Sequence, residues 1–446
     1  MGPHQHSNFG LPDLLEGRDH SLSFRLFPTG SFAEGVCHSR CFRGRIGRTR
    51  KLGRLSTRSA HNPGITMSSA AATLDAFINR VGGISTPFSI ELPDGEKRSV
   101  GKGRAEFHVG LRNARAMRAL RTLDEGDIAE AYLQGDIDIE GDMLKPFALR
   151  ASLDDRHPLV AAWRFIEPLL FGQVYTNKQA ISSHYNADPK LFLSFLDPVF
   201  PAYSQGFYAH DDEPLSKALE RKFDWAIEQC ELGPGKTVLE IGPGWGAFAG
   251  HALQAGVRFT GITNSEVSQS YLKSKLANFG DRFDILLTDF YDFEPDKPFD
   301  SIVIMGVIEH LPDYKRVLKK FYRLLKPGGR VFLDGSAAKK KYELSTFMVR
   351  HIYPGNHSFL VLDDLLNKLA KTELEVIEIQ NDRWSYFLTF RQWARNLESN
   401  KDYVRSSFGD FEYRKFHLYL WGAAYEFLAR NLDCYRLVLY KPKDAA

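Results

Sequence analysis

Three glycines, Gly242, Gly244 and Gly246, separate the apolar stretch 238–241 from residues that favour a helix. Because glycine has no Cβ, a ligand can approach the backbone there while the N-terminus of the next helix faces it. The G-x-G-x-G spacing differs from the G-x-G-x-x-G pattern that cradles a pyrophosphate. The pattern therefore predicts a loop that binds a nucleoside cofactor at the end of a strand.

Two further features indicate which cofactor this loop binds. Glu240 lies within the strand that leads into the loop, an arrangement common where the nearby end of the ligand is the cationic amino acid of S-adenosylmethionine. The second strand ends at Thr263-Asn264-Ser265, with neutral hydroxyl and amide groups only, whereas NAD enzymes and many other nucleoside-binding enzymes of this kind usually place an acidic residue there to hold ribose hydroxyls. This argues against NAD. We therefore expect S-adenosylmethionine as the cofactor.

The segments after the loop alternate between strand-like and helix-like patterns. Strands are predicted at 258–262, 283–287, 300–305, 330–333, 374–379 and 435–440, with helices at 265–277 and 313–325. Such alternation predicts an α/β fold, a doubly wound parallel sheet covered by helices on both faces. It resembles the Rossmann-like class I methyltransferase fold.

An earlier part of the chain predicts a smaller α+β domain. A strand beginning at Ser89 enters a Pro-Asp-Gly turn, and 107–111 is its expected partner. Helices are expected at 116–123 and 128–133. The acidic alternation at 135–142 lacks the oxygen ligands of a calcium loop at the required offsets, so no metal is expected.

Charge and composition suggest how the chain is divided. The 446 residues are 43% hydrophobic with a net charge of +3, yet residues 1–66 hold ten Lys/Arg and four Asp/Glu. We interpret 1–66 as a disordered or non-native leader rather than a transit peptide or nucleic-acid arm, and expect a chain begun at Met67 to fold and bind cofactor. The other predicted units are an N-terminal domain at 67–155, a helical connection and lid at 156–200, and the methyltransferase domain at 201–446.

Cysteine usage and hydropathy suggest where the protein works. The four cysteines are scattered, and no run of about 18 uncharged apolar residues is present. A cytoplasmic protein without a nucleic-acid partner is the resulting expectation.

Short motifs spread over about residues 73–442 occur together in one order. They are Gly126-Asp-Ile-Ala-Glu-Ala-Tyr-Leu-Gln-Gly-Asp-Ile-Asp, His184-Tyr-Asn, Tyr203-Ser-Gln-Gly-Phe-Tyr, Gly261-Ile-Thr-Asn-Ser, Ile308-Glu-His-Leu, Ile352-Tyr-Pro-Gly, Phe411-Glu-Tyr-Arg-Lys-Phe and Leu432-Asp-Cys-Tyr-Arg-Leu-Val-Leu. As an ordered set they resemble the cyclopropane-fatty-acyl-phospholipid synthases, of which this chain would be a divergent member. The resemblance implies transfer of a methyl or methylene group from S-adenosylmethionine to the double bond of an unsaturated acyl chain in phospholipid. It also implies peripheral contact with the inner face of the membrane, and a homodimer is possible.

The same resemblance implies a set of cofactor-binding residues. Besides Glu240 and the three loop glycines they are Tyr203, Ser204, Thr263, Asn264, Phe290 and Gly306. The family's Asp-Tyr-Arg after the third strand appears here as Asp289-Phe290-Tyr291, and its glutamine after the second strand appears as Ser268.

The resemblance also implies the catalytic residues, with two departures. In these synthases a cysteine, a glutamate, a histidine and a tyrosine hold a bicarbonate that takes a proton. The glutamate matches Glu309 and the tyrosine matches Tyr386, but Gln205 replaces the cysteine and Asp334 replaces the histidine. Because carboxylates repel an anion in a low-dielectric site, bicarbonate is a doubtful cofactor and either Glu309 or Asp334 is the expected base. A helix cap is the alternative for Asp334.

Several neighbouring residues have more than one interpretation. The aromatic residues Phe195, Phe200, Phe207 and Tyr208 form either core or an acyl tunnel, and the basic run 339–341 either meets lipid headgroups or is merely solvated. His310 is expected to be non-catalytic, and His357 a surface or lid residue. Two other functions stay open: methylation of a small soluble acceptor, and a catalytically decayed cofactor-binding homologue.

Overall fold

The computed structural model describes residues 67–81, 86–153, 188–341, 344–353 and 357–443. These ranges lie within one compact unit, residues 62–446. The predicted leader, the motif at His184 and most of the predicted connection at 156–200 lie outside them, so those predictions and the domain boundaries stay predictions.

The N-terminal part contains a four-stranded sheet with helices packed against it. Its strands are β1 (Phe88–Glu91), β2 (Lys97–Val100), β3 (Phe107–Leu111) and β4 (Ile137–Gly141), in the order β2-β1-β3-β4. Its helices are α1 (Met67–Val81), α2 (Ala114–Thr122) and α3 (Glu125–Leu133), followed by a 3₁₀ turn at Pro146–Ser152. The predicted partnership of β1 and β3 is present as a parallel pair, but the Pro-Asp-Gly turn leads first into β2, which the sequence analysis missed.

The larger sheet begins with the strand that precedes the glycine loop. Its strands are β5 (Thr237–Ile241), β6 (Arg258–Thr263), β7 (Phe283–Leu287), β8 (Phe299–Met305), β9 (Leu325–Ala337), β10 (Glu375–Asn381) and β11 (Asp433–Tyr440). The order is β10-β11-β9-β8-β5-β6-β7, parallel except for β11. This confirms the predicted class I methyltransferase fold.

Helices connect these strands and cover both faces of the sheet. They are α4 (Pro189–Leu193), α5 (Leu215–Gln229), α6 (Ala247–Gln254), α7 (Glu266–Lys275), α8 (Tyr314–Leu324), α9 (Leu362–Leu369), α10 (Arg383–Ser399), α11 (Lys401–Phe408) and α12 (Asp410–Leu428). Short 3₁₀ turns lie at Ala277–Arg282 and Ile308–His310, and one π-helical turn lies at Met348–Ile352. The boundaries of α7 and α8 follow from their caps, because the Ser265 and Asp313 side chains accept backbone N–H groups of the first turn.

Polar contacts fix the N-terminal part to α12. Arg414 forms an ion pair with Asp138 at 2.6 Å, and the Tyr132 hydroxyl is 2.7 Å from Nδ1 of His417. Arg150 pairs with Glu426 of the same helix. These contacts hold the N-terminal part against α12 in a fixed arrangement.

Candidate active site

The glycine loop leaves the carboxyl end of β5 and turns into α6. Gly244 has φ +53°, and a Cβ built there has no heavy atom within 4 Å. By contrast, a Cβ on Gly242 would lie 2.6 Å from Val307, and one on Gly246 would lie 2.3 Å from Leu272. Gly244 therefore faces open space at the ligand-binding edge of the sheet, whereas the other two glycines allow close packing within the protein.

A cavity of about 140 Å³ lies against this loop. The predicted cofactor residues that line it are Tyr203, Ser204, Glu240, Gly242, Gly244, Thr263, Asn264, Phe290 and Gly306. Gly246 does not line it, because its position is taken up by the contact with Leu272.

Glu240 places a buried carboxyl against this cavity. The residue is only 3% exposed, and its Oε2 has no hydrogen-bond partner in the described part of the chain. Burial raises the pKa of Glu240 to about 8, although the nearby Lys222 ammonium opposes this shift. A buried carboxyl of this kind fits the cationic amino acid group of S-adenosylmethionine.

Polar residues at the ends of β6 and β7 complete the cavity wall. Asn264 donates to Asp289 at 3.1 Å, and Asp289 in turn accepts the backbone N–H of Tyr291 at 2.8 Å. Ser268, where the family has glutamine, donates its hydroxyl to the carbonyl of Gly244 at 2.7 Å and so holds the loop. Asp289 also lines the cavity and was quoted in the family motif without being assigned to the site.

A second and larger cavity, of about 280 Å³, adjoins the first. Tyr203, Gly306 and His310 line both cavities. Most residues around the larger cavity are apolar, including Phe390 and Trp393 of α10 and others from α12 and the N-terminal sheet. An apolar cavity that meets a nucleoside cavity at three residues can present a hydrophobic substrate to the cofactor.

Glu309 lies on the wall of the larger cavity, in the 3₁₀ turn that follows β8. Its Oε1 accepts the backbone N–H of Ser336 at 2.7 Å, and its backbone carbonyl accepts the N–H of Ser358 at 2.9 Å. Its Oε2 has no hydrogen-bond partner among the described residues. Burial raises the pKa of Glu309 to about 7, and the charge of Asp334 adds to this shift. A carboxyl with a free oxygen and a pKa near neutrality is suited to accept a proton.

Tyr386 lines the same cavity as Glu309. The helix α10 places it one and two turns before Phe390 and Trp393, which line the same cavity. Burial raises the pKa of Tyr386 well above its usual value, so the phenol is neutral.

Asp334 lies outside the lining of the larger cavity. It belongs to β9, so it is not a helix cap, and its Oδ2 is 2.6 Å from Nζ of Lys222, both residues being 0% exposed. Oδ1 accepts the backbone N–H of Gly306 at 3.0 Å, and Lys222 donates to the hydroxyl of Ser204 at 2.8 Å. The Lys222–Asp334 pair therefore holds Ser204 and Gly306, two residues that line the cofactor cavity, in place. Burial raises the pKa of Asp334, and the Lys222 ammonium opposes that shift.

Gln205 also lies outside the lining of the larger cavity. It is 1% exposed and lies beside Asp382, which accepts a hydrogen bond from Arg436 at 3.2 Å. Of the four positions that hold bicarbonate in the synthases, therefore, the larger cavity is lined here by Glu309 and Tyr386. The described residues do not assemble the four-membered anion site, so we derive no step through bicarbonate.

Two histidines line the larger cavity as well. His357, expected at the surface or in a lid, is 6% exposed and stacks on Tyr353 at a centroid distance of 4.2 Å. The ring of His310 packs against that of His357 at 5.0 Å, and burial lowers the pKa of His310 to about 4, so it is neutral at pH 7. The turn predicted at Tyr353-Pro-Gly lies largely outside the described residues, and nothing in that motif indicated that the next histidine would be buried.

Among the described residues, neither the four aromatic residues of that cluster nor the basic run 339–341 lines the larger cavity. Phe195 and Phe207 are buried in the core, and neither lines the larger cavity. Lys341 is paired with Asp364 at 2.6 Å and donates to the carbonyl of Pro312, whereas Lys339 is exposed.

The buried pair of Lys222 and Asp334 leads to a stability prediction. We expect Lys222→Met to lower the free energy of unfolding by about 3–5 kcal/mol, because it leaves a buried carboxylate without its partner. Lys222→Met combined with Asp334→Leu should recover much of that loss. Urea unfolding measures both, with Lys217→Met as a control on the same helix, where a 64% exposed lysine should matter by less than about 1 kcal/mol. A loss no larger than the control's would contradict the assignment.

Comparisons with known proteins agree with this geometry. The family model described as mycolic acid cyclopropane synthetase matches residues 173–437, and a model described as a domain of unknown function (DUF7884) matches residues 77–149. The chain is 24% identical to a probable fatty acid methyltransferase of Pseudomonas putida, over 80% of this chain and 92% of that protein. It is 25% identical to a sphingolipid C9-methyltransferase of Komagataella phaffii, over 70% of this chain and 69% of that protein.

A solved structure shares the fold. The mycolic acid cyclopropane synthase CmaA1, in complex with SAH and CTAB, superposes with a TM-score of 0.55 at 25% identity. The match covers 59% of this chain and 98% of that one. These matches agree with the fold, the glycine loop and the buried Glu240: the chain belongs to the mycolic acid cyclopropane synthetase family and is an S-adenosylmethionine-dependent methyltransferase.

Proposed function

We propose that this enzyme transfers a methyl or methylene group from S-adenosylmethionine to the double bond of an unsaturated acyl chain in a phospholipid. The observation that carries the proposal is the apolar cavity that adjoins the cofactor cavity and has Glu309 in its wall. The relatives named for fatty acids, sphingolipids and mycolic acids support a lipid acceptor.

The cofactor, when bound, supplies an electrophilic methyl group. An alkene is a weak nucleophile. Because the methyl group of the cofactor is a strong electrophile, the alkene can attack it without an activated serine or cysteine in the protein. Its π electrons form the new carbon–carbon bond while the sulfur–carbon bond breaks, which leaves a cation on the acyl chain. The apolar walls keep water away from this cation, and Glu309 Oε2 accepts the proton that must leave.

Two products are compatible with this chemistry. Loss of a proton from the newly added methyl group closes a cyclopropane ring. Loss from a neighbouring carbon leaves a methyl-branched alkene. The position of the released proton relative to Glu309 decides between them.

The charges around the larger cavity favour a substrate whose headgroup stays outside. Among the residues that the structure describes, its ionisable lining includes Glu125, Glu309 and Glu426 against one cation, Arg150. A phosphate inside such a cavity would be repelled, so we infer that the acyl chain enters alone from a membrane surface. No described helix is long and apolar enough to cross a bilayer. We propose peripheral membrane contact on the cytoplasmic side.

A small soluble acceptor and a decayed site are the alternatives, and labelling separates them. Cells that express the protein are given a methyl-labelled methionine, and their lipids are extracted and hydrolysed. We expect label in the fatty acids beyond that of control cells. Label only in soluble metabolites would favour methylation of a small soluble acceptor. No additional label would favour a catalytically decayed site.

The raised pKa of Glu309 predicts a pH dependence. The residue can accept a proton only when ionised, and its pKa of about 7 lies well above the ordinary 4.5. Turnover should therefore rise as pH increases through about 7, and be lost on the acid side as Glu309 becomes protonated. A profile of turnover between about pH 5.5 and 8.5 at saturating cofactor measures this. A flat profile would contradict the role of Glu309.

A further inference from the structure

The part of the chain described only as a domain of unknown function lines the larger cavity. Phe77 of α1, Ile90 of β1, Val109 of β3 and Ile139 of β4 all contribute to its wall. Glu309 and Tyr386 line the same cavity. The space beside the candidate base therefore continues between the small sheet and its helices.

The register of the small sheet explains how it can form such a wall. Ile90 lies opposite Val109 in the parallel pair, and Val109 lies opposite Ile139 in the antiparallel pair. Because side chains alternate along a strand, these three residues share one face. Ser89, His108 and Glu140 belong to the other face, where Glu140 is exposed.

The wall is fixed in place by the contacts with α12. Arg414, Tyr132 and Arg150 bridge the two parts of the chain, and Gly422 of α12 lies close enough to Phe147 that a Cβ would be 3.1 Å from its ring. The same segments line the cavity from both sides, at Tyr132 and Phe147 and at Gly422. A wall held in this way can measure the length of a chain that packs against it.

We infer that the described residues 77–81 and 86–153 contribute to the substrate-binding site, and that the apolar face of the small sheet receives the acyl chain and limits its length. This inference rests on the proposed function and adds a specificity determinant to it. The charges support the assignment, because Glu125, Glu426 and Arg150 give this part of the cavity no excess of cations with which to bind a headgroup. The hydrocarbon end of the acyl chain is therefore the part that lies here.

Narrowing the cavity tests this inference. Ile139→Phe adds a ring to the lining, and Glu140→Phe is the matched control because it adds the same ring one residue away on the exposed face. Substrates are phospholipids of one headgroup whose acyl chains carry the double bond at the same position but differ in the length beyond it. We expect Ile139→Phe to lower turnover on the longest chains by about tenfold or more while sparing the shortest, since one methylene in an apolar pocket is worth about 10–200-fold. Equal turnover losses for all lengths, or none, would overturn the inference.

A binding measurement keeps the test independent of methyl transfer. A graded series of straight-chain alcohols should raise the melting temperature of the wild type with increasing length until the cavity is filled. The melting temperature of Ile139→Phe should stop rising at a shorter alcohol than that of the wild type. The melting temperature of Glu140→Phe should stop rising at the same length as in the wild type. A wild-type plateau for Ile139→Phe would overturn the inference. If the plateau shifts but lipids are not methylated, the proposed function fails, and what remains is that the apolar face of the small sheet limits the length of a bound hydrocarbon chain.

Discussion

Gly244→Val is expected to weaken the binding of S-adenosylmethionine by at least about 10²-fold, which corresponds to about 2.7 kcal/mol. The reason is that a Cβ at this glycine meets no protein atom within 4 Å and extends into the cofactor cavity. The φ of +53° adds a backbone cost of about 1–2 kcal/mol to stability. Calorimetric titration of the purified variant measures the affinity.

Gly235→Val is the matched control for backbone strain. Gly235 has φ +81°, its Cβ would also meet nothing within 4 Å, and it precedes β5 without lining the cofactor cavity. The control should lose stability and keep its affinity. Wild-type affinity in Gly244→Val, or equal losses in both variants, would contradict the placement of the cofactor against the loop.

Glu309→Gln is expected to lower turnover by about 10²–10⁴-fold, the usual contribution of a positioned base. Glutamine keeps the shape of the side chain, and its amide oxygen can still accept the N–H of Ser336. Cofactor affinity should therefore change little, while the rise in activity through about pH 7 disappears. Turnover on unsaturated phospholipid vesicles and calorimetry with the cofactor measure the two effects.

Asp334→Asn and bicarbonate distinguish this account from its alternatives. If the ion pair with Lys222 is structural, Asp334→Asn should lower stability and keep the pH profile of the wild type. A loss of the rise through pH 7 in this variant, but not in Glu309→Gln, would make Asp334 the base instead. Bicarbonate added to depleted buffer should leave wild-type turnover unchanged, and a restored activity would place a bound anion in the mechanism.

The fold was predictable because its signals are local. Strands β6 to β9 follow from short apolar runs, and the boundaries of α7 and α8 depend on the capping residues Ser265 and Asp313. Strand β2 was missed because Lys-Arg-Ser-Val carries a single buried apolar residue, which leaves almost no alternation to detect.

The contents of the site were predictable only in part. The glycine loop and the family motif predicted Glu240 and Glu309, but the partner of Asp334 comes from α5, 112 residues earlier in the chain. A signal was present, since the helical period places Lys222 on the same buried face as Leu219, Phe223 and Ala226. What the sequence could not indicate is that this lysine would meet a carboxylate rather than extend to solvent.

The central claim is that two adjoining cavities bring an acyl double bond to the methyl group of the cofactor. It is tested most directly with purified protein, S-adenosylmethionine and vesicles of a single monounsaturated phospholipid, followed by mass spectrometry of the released fatty acids. Vesicles of the saturated phospholipid with the same headgroup are the control. Unsaturated chains should gain one CH₂, while saturated chains and headgroups gain none. Methylation of the headgroup, or no gain on the acyl chain by a protein that binds the cofactor, would contradict it.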